Sequence, residues 1–161
     1  MECVQRDVFL KNDYRPRRGR GANHLAKFWH NRACLFSAWD AGVLCDEESL
    51  YSITPEVVAR HITASLPTEV RTVIDVCCGV GGNTLSYAQS GRLVIAVDND
   101  IDKLVALTHN AAVLGQTARV VPLHCDFAAL QHVEVWADFA YSAPPWGGNS
   151  YRQFRPFRPS Q

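Results

Sequence analysis

The chain has 161 residues, 47% hydrophobic and 20% charged. That suits one domain with tails and a packed core, and argues against a largely disordered polymer. No apolar run approaches the ~18 residues of a membrane span, and the opening MECVQRDVFLKND lacks the apolar stretch of an export signal. The expectation is a protein made and kept inside the cell, with its six cysteines reduced. The net charge of +0 conceals a pattern. Residues 1–32 carry eight Lys/Arg against three Asp/Glu, residues 33–149 five against thirteen, and residues 150–161 three Arg and no acid. An acidic globule with basic ends fits a polyanionic partner reached through those ends, and equally fits plain solubility tails. Cys77 and Cys78 are adjacent, and no C-x-x-C or H-x-x-x-H pair is present, so no metal site is expected.

Residues 1–23 include Arg15-Pro16-Arg17-Arg18-Gly19-Arg20-Gly21 and read as a flexible basic arm. Such an arm binds RNA phosphates without sequence preference or serves as a nuclear import signal. Residues 24–66 read as a helical extension. Leu25, Phe28, Trp29, Leu35, Phe36 and Trp39 recur at roughly helical spacing, which predicts an amphipathic helix over 24–40 docked on the core. Thr54-Pro55-Glu56 predicts a second helix, with Thr54 as N-cap, running to about Ser65 and stopping before Pro67. Over 67–149 strand and helix signals alternate. Strands are predicted over 72–76, 93–98, 119–123 and 137–142. Helices are predicted over 83–89 and 102–114, the second closed by Gly115. This alternation predicts an α/β fold, a parallel sheet with helices on both faces. Residues 150–161 read as a basic tail.

The most informative segment is Val73-Ile74-Asp75-Val76-Cys77-Cys78-Gly79-Val80-Gly81-Gly82-Asn83, a buried strand running through a glycine turn into a helix. Glycines let the backbone approach a ligand where a Cβ would clash, and a helix start offers free N–H groups. In doubly wound sheets this position is the ligand crevice. Asp98 ends the next strand, where a carboxylate can accept both ribose hydroxyls. Asp126 follows the third strand and can accept from an adenine amine while Phe127 flanks the ring. A glycine turn alone is also a plain tight turn. The three features together look like the S-adenosylmethionine site of class I methyltransferases. The G-x-G-x-x-G of nucleotide-binding dehydrogenases is not matched, and no Gly-Lys-Ser is present.

The fourth strand ends in Ser142-Ala143-Pro144-Pro145-Trp146-Gly147-Gly148. Two prolines fix the backbone and remove two N–H donors. Carbonyls around them can accept from an exocyclic amine and aim its lone pair, which is catalysis by positioning. The segment is similar to the Pro-Pro-aromatic motif of amino methyltransferases; the bland alternative is a structural turn with a core Trp. The Trp-Gly-Gly ending narrows the resemblance. So do Lys27-Phe28-Trp29, Leu35-Phe36-Ser37, Asp40-Ala41-Gly42, Asp46-Glu47-Glu48, Tyr51-Ser52-Ile53-Thr54-Pro55-Glu56 and Asn110-Ala111. Over about 27–148 the chain resembles the trimethylguanosine synthase family of RNA cap hypermethylases.

That resemblance implies a Rossmann-like class I methyltransferase. Its members transfer methyl groups from S-adenosylmethionine to N2 of the 7-methylguanosine cap of small nuclear and nucleolar RNAs, giving 2,2,7-trimethylguanosine. It implies capped RNA rather than DNA or a membrane as the partner, ribonucleoprotein core proteins nearby, and a nuclear or nucleolar location, with the cytoplasm as a second site. The catalytic residues implied are Ala143, Pro144, Pro145 and Trp146, with Trp146 also stacking on the cationic 7-methylguanine. The cofactor contacts implied are Thr54, Asp75, Cys78, Gly79, Gly81, Asn83, Asp98, Asp126, Phe127 and Ser142. Lys27 and Arg32 would face the triphosphate, and Ser52 and Asn110 the cap nucleoside. Two departures stand out. Ala143 occupies a place where the family has Ser. Residues 150–161 do not read as the last strands of a seven-stranded sheet, so the expectation is a core truncated after its fourth strand. Two further readings therefore stay open: a module that holds cofactor or capped RNA without turnover, and a methyltransferase for a different amine.

Overall fold

A computed structural model describes residues 9–10, 23–132 and 134–144 of the chain. The short strand β1 (Phe9–Leu10) pairs antiparallel with β2 (Cys45–Asp46). The segment expected to be a flexible arm is thus tied down at one point. Helices α1 (Asn23–His30) and α2 (Arg32–Leu35) and a 3-10 turn at Trp39–Ala41 replace the single helix expected over 24–40. The break has a packing cause. Trp29 meets Trp39 edge-on, with ring centroids 5.6 Å apart. In one straight helix, ten residues would separate the two by about 15 Å, so the chain must bend for both to enter the same core.

Helix α3 (Glu47–Ser52) was not expected. Asp46 caps it, its Oδ1 accepting from the Ser49 N–H at 2.8 Å, and Glu47 and Glu48 sit in its first turn. Helix α4 (Glu56–Ser65) stops before Pro67 as expected. Its start differs: Thr54 makes no cap, and its Oγ1 instead accepts from Asn83 Nδ2 at 3.0 Å.

The body of the fold runs β3 (Thr72–Val76), α5 (Gly82–Gln89), β4 (Leu93–Asp98), α6 (Ile101–Val113), β5 (Val120–His124) and β6 (Phe139–Ser142). The four strands are all parallel, in the order β5-β4-β3-β6. In register, Val120, Val94, Val73 and Phe139 form one row across the sheet. Alternate residues face opposite sides of a strand. Helix α5 covers the face of Asp75 and Tyr141, which it touches through Thr84 and Tyr87, and Val73, Val94 and Val120 are buried in that phase. In the opposite phase Ile74 and Ile95 are half-buried and Val121 is 48% exposed. Between β5 and β6 the described residues form a 3-10 stretch, Phe127–His132, in place of a long helix.

The N-terminal elements join this body through a few side chains. Helix α4 packs on α5, with Thr63 Oγ1 and Ser86 Oγ hydrogen-bonded at 2.7 Å in the interior. Asn110 on α6 has no exposed surface. Its Oδ1 accepts from the Leu44 N–H at 2.7 Å, and its Nδ2 donates to the carbonyls of Leu44 at 2.9 Å and Val80 at 3.0 Å. The expected contact of Asn110 with a substrate nucleoside is therefore corrected: its polar atoms are spent on the backbone that frames the glycine turn. Replacing Asn110 with Ala takes the partner from three backbone groups, the buried Val80 carbonyl and the half-buried N–H and carbonyl of Leu44, and is expected to destabilise the chain by about 2–4 kcal/mol. Urea unfolding measures this, and an unchanged midpoint would remove Asn110 from the frame.

Candidate functional site

The strand order reverses between β3 and β6, and a cleft of ≈ 890 Å³ opens there at the carboxyl ends of the strands. That position and size suit a small-molecule site in an open α/β sheet. The glycine turn from Cys77 to Gly82 forms its floor. Asp98 and Asp100 line it from the end of β4, Cys125, Asp126 and Phe127 from the end of β5, and Ser142, Ala143 and Pro144 from the end of β6. The remaining wall comes from the N-terminal extension: Glu48, Tyr51 and Ser52 of α3, then Ile53 and Thr54.

The turn has its shape for steric reasons. A Cβ on Gly82 would sit 2.6 Å from Ile53 Cγ1, so the bare Cα allows the Ile53–Thr54 segment to lie against the start of α5. Gly81 (φ +104) caps the start of α5, and a Cβ there would sit 2.4 Å from Leu107 Cδ1 on α6. Its positive φ and that close approach both call for glycine, and it does not line the cleft. Cys77 is the one described non-glycine residue with positive φ, +60, a strained conformation at the cleft floor. Burial, reinforced by Asp98 and Asp75, raises the Cys77 thiol, and burial raises Cys78 further still. Both stay protonated near neutrality, so neither is a thiolate nucleophile.

Asp98 lies 7% exposed at the cleft. Its Oδ2 accepts from the Gly79 N–H at 2.8 Å and its Oδ1 from the Asp100 N–H at 2.9 Å, which fixes the carboxylate and leaves an acceptor site on each oxygen. Asp126 Oδ1 accepts from the Ala128 N–H at 2.8 Å, starting the 3-10 stretch that carries Phe127, a ring 63% exposed. Asn83 is 8% exposed, and while its Nδ2 is held by Thr54, its Oδ1 is buried with no partner. A buried orphan acceptor at a cleft is a place for a ligand donor. This acceptor-rich set fits a cationic ligand rich in hydroxyl and N–H donors. S-adenosylmethionine presents that inventory: two ribose hydroxyls, an exocyclic amine, an ammonium and a sulfonium. Among the described residues, no three of His, Cys, Asp and Glu gather so as to hold a metal ion, and no helix is long and apolar enough to cross a membrane.

The structure brings Ser52, Thr54, Cys78, Gly79, Asn83, Asp98, Asp126, Phe127, Ser142, Ala143 and Pro144 to this one cleft. It places other expected residues elsewhere. Asp75 lies under α5, 1% exposed, its Oδ2 accepting from the Thr84 hydroxyl at 2.5 Å. It staples the two ends of the glycine turn from below. Lys27 is exposed, with its ammonium 4.7 Å from the Phe28 ring centroid. Arg32 stacks 4.8 Å over Trp29 and donates to the Trp29 carbonyl. Neither lines the cleft. Pro145 and Trp146 lie outside the described residues.

Sequence reasoning quoted Glu48 only within a motif, gave it no role at the site, and missed Lys103. Lys103 on α6 lines the cleft, and its Nζ meets Glu48 Oε2 at 2.7 Å. Burial disfavours its charge, but Glu48, aided by Asp46 and Asp98, outweighs that and raises its pKa. No motif marks this pair, because its partners lie 55 residues apart.

A family model described as RNA cap guanine-N2 methyltransferase matches residues 70–158. The chain is similar to the trimethylguanosine synthase of Schizosaccharomyces pombe (strain 972 / ATCC 24843), with 37% identity over 134 residues, 79% of this chain and 56% of that protein. It is similar to the trimethylguanosine synthase of Saccharomyces cerevisiae (strain ATCC 204508 / S288c), with 32% identity over 136 residues, 79% of this chain and 43% of that protein. The chain thus spans about half the length of the curated relatives it matches. Among solved structures, the complex of aTrm5 and tRNALeu is similar at a TM-score of 0.50 and 17% identity, covering 62% of this chain and 28% of that one. That likeness speaks to the fold alone.

Burial pushes Asp75 up to about 7, against the pull of the Thr84 hydroxyl and N–H and with Asp98 adding repulsion. The neutral carboxyl is the form the fold prefers. The stability it contributes is full below the ordinary carboxylate value near 4 and is lost as pH rises through about 7. Asp75→Asn keeps an acceptor for Thr84 and cannot ionise. Between pH 5 and 8 the variant is expected to lose less melting temperature than the parent; parallel profiles would contradict this.

Proposed function

This chain belongs to the RNA cap guanine-N2 methyltransferase family, and from that membership and the cleft we propose that it methylates the N2 amine of a 7-methylguanosine cap on RNA, with S-adenosylmethionine as donor. The product is 2,2,7-trimethylguanosine, and the substrates are RNAs of the small nuclear and nucleolar class, met in the nucleus among ribonucleoprotein core proteins. The observation that carries the reading is the convergence on one cleft of the Asp98 and Asp126 carboxylates, the orphan Asn83 Oδ1 and the Ser142–Pro144 turn.

Each described residue then has a task. Asp98 receives the ribose hydroxyls, already oriented by its two backbone bonds. Asp126 takes the adenine amine while the exposed Phe127 ring covers the base. Asn83 Oδ1 receives a donor from the amino-acid end. The bound cofactor supplies an electrophilic methyl group on a sulfonium. At the end of β6 the Ala143 N–H is held by the Val76 carbonyl at 3.2 Å, and Pro144 has no N–H. The carbonyls of this turn hold the N–H groups of the incoming amine and direct its lone pair. The described lining contains no histidine, and the two thiols on its floor stay protonated. The task of the lining is alignment and exclusion of water rather than nucleophilic attack. Ala143 presents no hydroxyl, which favours a second reading, a module that holds its ligands without turnover.

A methyl-transfer assay separates these. The whole chain is mixed with labelled S-adenosylmethionine and RNA bearing either a 7-methylguanosine or a plain guanosine cap. Label on the 7-methyl cap alone is the expected result. Calorimetric cofactor binding with no label would select the module, and label on both caps would refute the cap selectivity. Asp126→Asn keeps the acceptor for Ala128 and removes the charge. It is expected to weaken S-adenosylmethionine binding about tenfold with an unchanged melting temperature.

A further inference from the structure

Helix α3, with the residues that follow it, supplies the wall of the cleft that comes from the N-terminal extension. Six residues make a marginal helix by themselves, so tertiary ties must fix its position. It packs on α1, within the same N-terminal layer. Its flanks are tied to the body of the fold. Ahead of it, the Gly42 and Leu44 backbone is held by His109 Nε2 at 2.9 Å and by Asn110. Behind it, Thr54 is held by Asn83. From the helix itself one described side-chain tie reaches the body, Glu48 Oε2 to Lys103 Nζ at 2.7 Å. The Lys103 side chain is 17% exposed and Glu48 48%, so the pair is partly shielded from solvent. On α6, Lys103, Leu107 and Asn110 share a stripe at helical spacing. One face of one helix thereby meets the turn at Gly81 and the two ends of the segment from Leu44 to Glu48.

We propose that Lys103 and Glu48 act together as a positioning pair: their bond sets the distance between the α3 wall and the glycine-turn floor, and so sets how tightly the cleft closes on the ligand held between them. Lys103 acts through Glu48 and not by touching the ligand. The Tyr51–Thr54 wall follows α3, because Tyr51 and Ser52 belong to it and Ile53 and Thr54 continue it. A partly exposed ion pair of this kind contributes little to global stability, so its role shows in the cleft rather than in the melting temperature. The ligand side of this inference rests on the cofactor reading above.

The test uses the full chain as wild type, Lys103→Met, Glu48→Gln, the double variant and Lys103→Arg. S-adenosylhomocysteine is the calorimetric probe, and hydrogen exchange of α3 amides is followed without ligand. Each single loss is expected to weaken probe binding about fivefold. The double variant should be no weaker than either single, Lys103→Arg should stay near wild type, and melting temperatures should move by no more than about 2 °C. Exchange over 48–53 should quicken in all three disrupted proteins. A loss confined to Lys103→Met, with Glu48→Gln binding as well as or better than wild type, would mean that Lys103 meets the ligand itself and would overturn the proposal. Unchanged α3 exchange would overturn it as well. A wild-type chain that binds no probe would strike at the cofactor reading, while the exchange result still decides the positioning pair.

Discussion

Asn110 is the side chain on which the architecture of the cleft turns. A single buried amide satisfies both backbone groups of Leu44 and the carbonyl of Val80. The first belongs to the N-terminal layer and the second to the glycine turn, and Asn110 itself rides on α6. Three parts that share no continuous sheet or helix are thereby held at fixed spacing. Buried amides tolerate little displacement, because an unmet donor or acceptor costs more than the bond contributes. The wall and the floor of the cleft inherit that intolerance. Around this fixed point the contacts become softer: His109 on the Gly42 carbonyl, Lys103 on Glu48 and Asn83 on Thr54.

The carboxylates of the fold divide into two kinds by environment. Asp75 is enclosed, and burial favours its neutral form; its work is to hold Thr84 and with it the start of α5. Asp98 and Asp126 sit at the cleft, each with a backbone N–H on its carboxylate and acceptor capacity left over. Asp75 and Asp98 flank the same turn, one below and one beside it, so the turn is braced by both while only Asp98 faces the cleft. Cys77, forced to positive φ between them, carries the local strain of a backbone bent to that purpose.

The sheet was legible because its signals are local. β-branched runs and glycine punctuation place β3 and β4 to the residue, and the acids Asp98 at the end of β4 and Asp126 just after β5 mark the cleft. Thr54, Asn83, Asp98, Asp126 and Ser142 reach it because each sits at or beside the start or end of an element that the local signals already locate. The residues that stray do so through partners distant in sequence. Asn110 and Asp75 are polar residues whose environment is set by Leu44 and Thr84, which no motif announces. Arg32 turns to Trp29, three residues back across the break between α1 and α2, because a guanidinium over an indole gains more than one in solvent. The helix over 24–40 misled because the period of the aromatics is shared by a bent chain whose tryptophans converge. Helix α3 was legible in Asp46-Glu47-Glu48, an N-cap followed by two acids, and was overlooked because the helix is only six residues long.

The ties that fasten the N-terminal wall also carry an order in time. Thr54 meets Asn83 across 29 residues, Glu48 meets Lys103 across 55, Leu44 meets Asn110 across 66 and Gly42 meets His109 across 67. Reading backward along the wall, each residue finds its partner later in the chain than the last, save for the adjacent pair on α6. A polypeptide leaving the ribosome therefore offers the wall its anchors from the carboxyl end first. Thr54 can dock as soon as α5 exists, Glu48 waits for the start of α6, and the segment at Leu44 waits for its end. Each docking shortens the loop the next must close, so the entropy of a 66-residue closure need not be met in one step. The wall closes toward its own beginning over a floor that is already in place, while the strands that follow α6 are still to come.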